Sequence, residues 1–422
     1  MSSSLPAESP ASDDFVCDCS KEWMRSACKG LSFFKAYNGK RYCVLHYPDK
    51  DKSTAFAEAL KVKLDAQDFD FNGVWFPDHL NFKDFTFGEK TYFLYATFSA
   101  GANFSNATFP ALTTFSQATF SGVANFFSVK FESAVYFSYT TFGERVNFTH
   151  ATFGALAHFG AKFSRTVDFS FATFKDYVRF IRDRPSEGFD SDSKLILNSA
   201  IIEKHERVSF HTLTLRPHWF VNVDARTFEF INVNWDWRDI SIKKEIESIA
   251  KADALSAHRL LAIACRNLAV NAEENHRYEE ASRFRYMAME ARRLERWRGF
   301  AFWTLGWWYW LASGYGERVW RAFVVLVGVW LLAAALYTRV GFVRWEPRLS
   351  SEQEAAQAKR DEVGQPLRGW RPLTYSLGVM TLQKPEPHPA TDAAQAVVML
   401  ETILGPVQAA LLALAIRRKF MR

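Results

Sequence analysis

Between Phe71 and Phe159 a phenylalanine returns in steps that alternate between five and six residues, from Phe71, Phe76, Phe82, Phe87 and Phe93 on to Phe148, Phe153 and Phe159. The repeating unit is therefore eleven residues, and small residues hold fixed places in it, as in Ala107-Thr108, Ala118-Thr119 and Ala151-Thr152. This spacing matches neither the roughly 3.6-residue period of a helix nor the alternation of a strand. A large apolar side chain at every fifth or sixth position reaches a common axis only if the chain turns a corner in each unit. A four-sided coil built from two units meets that condition, with one inward Phe and one inward small residue on each face. The pattern predicts about five coils over 67–180, stacked at the ~4.8 Å strand spacing into a rod roughly 25 Å long, with the rings in a column on the axis.

Outside the ladder the pattern changes several times. Residues 1–14 are rich in Ser, Pro and acid, with no basic and apolar leader, and read as a disordered tail that starts in the cytosol. Residues 15–66 read as a Cys-rich cap that ends in an amphipathic helix over Ala55 to Leu64. Residues 181–238 carry short β runs such as Val208 to Leu215 and read as irregular closing rungs, because an open solenoid end would template aggregation. Within them Arg182 to Lys194, with Pro185 and Gly188, reads as a loop. Residues 239–298 keep helical spacing and predict a helical hairpin, in which Tyr278, Ala281 and Phe284 are similar to the tetratricopeptide pattern over a single unit.

The fold class expected is thus a mainly β repeat solenoid, followed by an α-helical hairpin and a two-helix transmembrane domain. The ladder resembles the pentapeptide-repeat family in its variant with an extra residue in every second unit. Ala102-Asn103-Phe104, Ala124-Asn125-Phe126 and Val167-Asp168-Phe169 occupy the same slot of the motif. The resemblance implies a four-sided β-helix, usually right-handed. One departure stands out: Phe159 to Phe163 is a step of four, and the missing residue predicts a local kink.

Composition narrows the function. Of the 40 Phe in 422 residues, 25 lie between Phe69 and Phe180, so the aromatic load belongs to the rod interior. From Asp68 to Arg179 there are nine acidic and eight basic residues, so the net charge of +6 lies elsewhere. A near-neutral rod lacks both the acidic face that would imitate a DNA duplex and the basic stripe that would bind nucleic acid. It remains a surface for a protein partner. No phosphate-binding Gly loop, nucleophile elbow or His-Glu-x-x-His run is present, and no enzymatic activity is expected.

Four of the five cysteines, Cys17, Cys19, Cys28 and Cys43, precede the ladder, and His46 follows Cys43 after two residues. In a reducing cytosol they suit a structural zinc ion better than disulfides. Five candidate ligands for four positions, at irregular spacing, leave the ligand set open.

The C-terminal quarter reads as membrane. Arg292, Arg293, Arg296 and Arg298 run into an aromatic stretch at 299–317, whose Trp303, Trp307, Trp308 and Trp310 suit the bilayer interface. In 318–422, the stretch from Ala322 to Phe342 spans a bilayer with Arg339 snorkelling, and Ala393 to Ile416 spans it with tilt. Basic flanks place both termini in the cytosol and the loop 341–392 outside, although Arg344, Arg348, Lys359 and Arg360 in that loop weaken the rule. Trp370 to Leu382 is apolar enough to dip back as a short helix. Ser313-Gly-Tyr-Gly-Glu-Arg318 and Glu401-Thr-Ile-Leu-Gly405-Pro406 resemble the C-terminal part of bacterial pentapeptide-repeat membrane proteins, whose relatives carry a domain similar to two-span potassium channels. That resemblance implies a bacterial inner membrane and a homo-oligomer through the membrane domain. At the filter position, however, Met380-Thr381-Leu382-Gln383-Lys384-Pro385 lacks the carbonyl ring that replaces a cation's hydration shell. Glu401, with Gln408 on the same helix face, and Thr381 are the polar residues expected to line water or to pair inside the membrane.

Overall fold

The computed structural model describes residues 15–420 apart from 20, 236, 238–240, 251–255, 296–303 and 344–364. The predicted tail 1–14, Trp303 and the segment 344–364 of the predicted outer loop lie outside the described residues. The chain divides into two compact units, one ending at Asn271 and the other beginning at Ala272.

The first unit is a four-sided parallel β-solenoid. Its four sheets hold six, six, five and seven strands. Thr119-Phe120 pairs with Thr97-Phe98 on one side and Thr141-Phe142 on the other, so each coil returns to the same face after two eleven-residue units. From Asp84 to His150 each unit places one residue at positive φ, at Asp84, Tyr95, Asn106, Gln117, Ser128, Tyr139 and His150. This left-handed residue turns the corner, and the next residue, such as Ala107 or Ala118, points inward and is fully buried. The short step at Phe159 to Phe163 falls at one of these corners. Phe163 still pairs with Phe142 and stacks on it at 5.4 Å, so a turn is shortened and no face is displaced.

The core differs from a single axial column. Each coil supplies four rings from four faces, and these form four parallel stacks. Phe93 stacks on Phe115 at 4.8 Å, Phe98 on Phe120 at 4.3 Å, Phe104 on Phe126 at 5.0 Å and Phe87 on Phe109 at 4.3 Å. Within a coil the stacks meet edge to face, as Phe104 meets Phe115 at 5.7 Å, which is the arrangement the ring quadrupoles favour. Outside, Asn81, Asn103, Asn125 and Asn147 form an amide ladder with spacings of 3.0–3.3 Å.

The solenoid is also longer than the Phe count predicts, with about seven turns rather than five. Gly188–Phe189, inside the predicted loop, pairs with Lys162–Phe163, and Lys194–Ile196, Ile201–Ile202, Val208–His211 and Glu229–Ile231 continue the remaining faces. Only two residues per face need to align, so corners absorb insertions, and Leu197 and Ile202 fill inward positions that Phe holds earlier, at Phe169 and Phe174.

Both ends are covered. At the first coil, helix α1 (Ser53–Asp65) sets Phe56 against Phe76 at 5.5 Å. At the last coil, helices α2 (Ile242–Ala250) and α3 (Ala257–Glu274) follow, and the Asn271 amide donates to the Arg226 and Phe228 carbonyls at 2.9 and 2.6 Å. A turn at His276 joins α3 to α4 (Tyr278–Glu295), completing the helical hairpin.

The second unit adds α5 (Leu305–Ser313), α6 (Val319–Tyr337), α7 (Arg371–Met380) and α8 (Asp392–Phe420). Helices α6 and α8 are long and apolar enough to cross a membrane, and α7 is the short helix predicted between them. Phe342–Val343 pairs with His388–Pro389 beside Tyr337, Tyr375, Val379 and Ala394, which form a small core.

Candidate metal centre and helix seam

The cap before the solenoid is too short to build a core of its own. A hairpin, Lys35–Tyr37 with Lys40–Tyr42, turns on Asn38 and Gly39, both at positive φ, and delivers Cys43 at its end. A 3-10 helix, Glu22–Cys28, carries Cys28 inward. The ligand atoms of Cys17, Cys28, Cys43 and His46 all lie within 4.8 Å of one another, and all four residues are buried. The His46 Nδ1 atom is 3.2 Å from the Cys43 sulfur and 3.7 Å from the Cys17 sulfur. A tetrahedral zinc ion with Zn–S and Zn–N bonds of ordinary length needs edges of about 3.6 Å from sulfur to nitrogen and about 3.8 Å between sulfurs. The donor set and spacing therefore fit a closed structural site. Cys19 lies outside the group, with its thiol directed to the Cys17 and Lys21 carbonyls. The fifth cysteine, Cys265, is buried in α3.

The electrostatics agree with a cation site. Hydrogen bonds from Cys28 and Cys43 hold the Cys17 thiol far below its usual range, so the cluster favours an anion there. Burial works against an imidazolium at His46, but its hydrogen bonds to the Cys17 and Cys43 sulfurs win and raise it to about 10. The other ring nitrogen, Nε2, is 2.9 Å from the Asn72 carbonyl of the first coil, a contact that fixes the tautomer and leaves Nδ1 for the metal. Gly73 makes this approach possible. It sits at positive φ, and a Cβ there would come within 2.9 Å of the Met24 sulfur and 3.2 Å of the His46 ring. Trp75 also donates to the Leu45 carbonyl at 3.0 Å, so the centre is tied directly to the first rung.

The polar residues of the two apolar helices meet in a seam. Glu401 of α8 accepts hydrogen bonds from the Tyr337 hydroxyl of α6 and the Ser376 hydroxyl of α7. Gln408 donates to the Ala312 and Ala322 carbonyls at 2.7 and 2.8 Å. Both side chains are buried within this one chain. Gly405 lets α8 approach α7, because a Cβ there would meet Met380 at 2.9 Å. Thr381 is exposed, and its hydroxyl bonds back to the Leu377 and Gly378 carbonyls at 3.0 Å.

Of the interfacial tryptophans, Trp308 is exposed and meets Trp307 edge to face at 5.0 Å, while Trp310 lies between the Arg293 and Arg321 guanidiniums at 4.7 and 4.8 Å. Three functional residues escaped the sequence reading. Tyr337 and Ser376 anchor Glu401, and Glu317 joins Arg285 of α4 at 3.2 Å to Arg418 of α8 at 3.3 Å. Glu317 sits in the Gly-Tyr-Gly-Glu-Arg run just before α6, and its two arginine partners lie 32 and 101 residues away in the sequence.

A family model described as pentapeptide repeats (9 copies) matches residues 115–161. This segment is pentapeptide repeat. The pentapeptide-repeat match covers the middle of the solenoid, and the parallel register extends the same architecture to both sides of it. Neither the curated proteins nor the solved structures give a match to the chain.

Proposed function

We propose that this chain is a membrane-tethered scaffold. Its pentapeptide-repeat solenoid presents partner-binding faces in the cytosol, and α6 to α8 anchor it in a bacterial inner membrane. One observation carries the reading: the polarity of α6 and α8 is inverted relative to a soluble core. Leu331, Leu332, Met399, Leu400, Ile403 and Val407 are exposed, whereas Glu401 and Gln408 are buried. Only 17% of each apolar window is buried, which leaves outward faces that water would not tolerate and lipid would. An outward aromatic stripe, in which Phe127 meets His150 at 5.7 Å and His150 stacks on Phe171 at 5.1 Å, is the face we assign to a protein partner. The Cys17, Cys28, Cys43 and His46 centre is read as a structural zinc site that holds the cap on the first coil.

The succession of span, short helix and span favours a second reading, a pore built from several copies. In that reading a carboxylate should face the shared axis. Glu401 instead has both oxygens engaged by Tyr337 and Ser376 of its own chain, which supports an anchor without conduction. Planar-bilayer recording of the full chain separates the two. The scaffold reading expects no unitary current. It also expects Glu401→Ala to lower thermal stability by about 2–4 kcal/mol, since two buried hydroxyls lose their acceptor and a cavity opens. A current that Glu401→Ala alters would establish the pore reading.

A further inference from the structure

We propose that the junction of α5 and α6 binds the phosphodiester headgroup of an anionic membrane lipid, with Arg318 and Arg321 as its cations. The inference rests on the membrane reading above and adds a ligand class to it. Elsewhere in this unit Arg277, Arg283, Arg285, Arg293 and Arg418 each pair with a carboxylate. Arg318 and Arg321 make no ion pair among the described residues. They lie one helical turn apart at the start of α6, and each guanidinium is laid on a ring face: Arg318 over Tyr286 at 4.2 Å and Arg321 over Trp310 at 4.8 Å. Arg321 also gives one Nη1 hydrogen to the Trp310 carbonyl at 3.2 Å. The planar groups are thus fixed in place without being neutralised, so little side-chain freedom remains to be lost on binding an oxyanion.

Other features of the same corner add donors and no acceptors. The Trp310 indole N–H is buried without a hydrogen-bond partner. Arg318, the first cap of α6, gives no side-chain cap, so the leading backbone N–H groups of a 19-residue helix are left for an anion. The nearby carboxylates do not compete, because Glu317 is held by Arg285 and Arg418 and Glu290 by Arg293.

The apolar surroundings identify the anion as a lipid and not a free phosphate. Trp320 and Phe323 are exposed and stacked at 5.5 Å beside Arg321. Below Arg321 on the same helix face come Val324, Gly328 and Leu331, all exposed, at the spacing that lines up residues along one side of a helix. Nothing lies within 4 Å of the place a Gly328 side chain would occupy, so the stripe has a shallow slot for an acyl chain. A charged head above an apolar groove fits a phospholipid that carries net negative charge.

The test uses the full chain in dodecyl maltoside and native mass spectrometry. Phosphatidylglycerol, phosphatidylcholine and inorganic phosphate are titrated separately, and melting temperature in phosphatidylcholine checks that each variant is folded. Phosphatidylglycerol should bind at least tenfold more tightly than phosphatidylcholine, with no retained inorganic phosphate. Arg318→Gln with Arg321→Gln should weaken it by roughly tenfold or more, since each change removes hydrogen bonds to a charged group. The charge-matched pair Arg292→Gln with Arg417→Gln, both exposed, should keep the preference. Equal binding of the two lipids, equal loss in both double variants, or inorganic phosphate bound as tightly as lipid would each overturn the site. If the chain enters vesicles and shows no phosphatidylglycerol preference, the site alone is wrong; if it enters no vesicle of either lipid, the membrane reading falls with it.

Discussion

Replacing Phe126 and Phe127 one at a time separates the inside of the solenoid from its outside at adjacent positions. Phe126 is fully buried, stacked on Phe104 at 5.0 Å and on Phe148 at 4.8 Å, with edge contacts to Phe115 at 5.6 Å and Phe137 at 5.9 Å. Phe126→Ala removes a buried ring at a cost of about 3–5 kcal/mol. The two stacked pairs, worth about 0.5–1.5 kcal/mol each beyond burial, push the loss towards the upper end. Coils touch only their neighbours, so no distant element can close the cavity. Phe127 is 39% exposed, and its ring contact among the described residues is His150, edge-on at 5.7 Å, so Phe127→Ala should stay within about 0.5 kcal/mol. Hydrogen exchange read by mass spectrometry on the full chain reports local opening for peptides covering 115–137. Phe126→Ala should speed their exchange by roughly two to four orders of magnitude, at about 1.4 kcal/mol per decade, and Phe127→Ala by less than threefold. Comparable acceleration by both substitutions would refute the inward-outward assignment.

Two further predictions concern the cap. The full chain should carry one zinc per molecule by elemental analysis; Cys43→Ser should lose it and Cys19→Ser should keep it, and retention in Cys43→Ser would contradict the four-ligand set. Burial holds the Lys52 ammonium down to about 7, although it donates to the Val44 and Leu45 carbonyls at 2.8 Å. Above about 7 the folded chain holds Lys52 neutral while the unfolded chain keeps its proton to about 10.4, so this residue makes stability rise with pH across that window and leaves it flat below. Lys52→Met should flatten the slope between pH 7 and 10 in thermal melts, and an unchanged slope would assign the titration to another group.

The sequence made the solenoid legible because each coil repeats one physical requirement, a ring or a methyl pointing inward at fixed count. Its true length was hidden where that requirement is met by other residues, at Leu197 and Ile202, and where a corner insertion at 182–187 breaks the count while the pairing of Gly188–Phe189 survives. Which of the five candidate ligands come together depends on the path of the chain between Cys17 and Cys43, which spacing does not encode; the 3-10 helix that turns Cys28 inward gathers Cys17, Cys28, Cys43 and His46 and leaves Cys19 outside. Glu401 was recognisable as a polar residue inside an apolar helix. Its partners were not, because Tyr337 is 64 residues away and Ser376 is 25 residues away. Thr381 fell at the expected filter position, but its hydroxyl is spent on its own helix.

The central claim, that α6 and α8 tether the solenoid by crossing a bilayer, is tested most directly by labelling in sealed right-side-out membrane vesicles with an impermeant maleimide. Two cysteines are introduced singly at exposed positions, His388→Cys in the strand between α7 and α8, and Arg417→Cys near the end of α8. The account predicts that His388→Cys reacts in intact vesicles and that Arg417→Cys reacts only after lysis, at the same side as the native cysteines of the cap. Reaction of both from one side, or release of the chain from the membrane by alkaline carbonate, would contradict it.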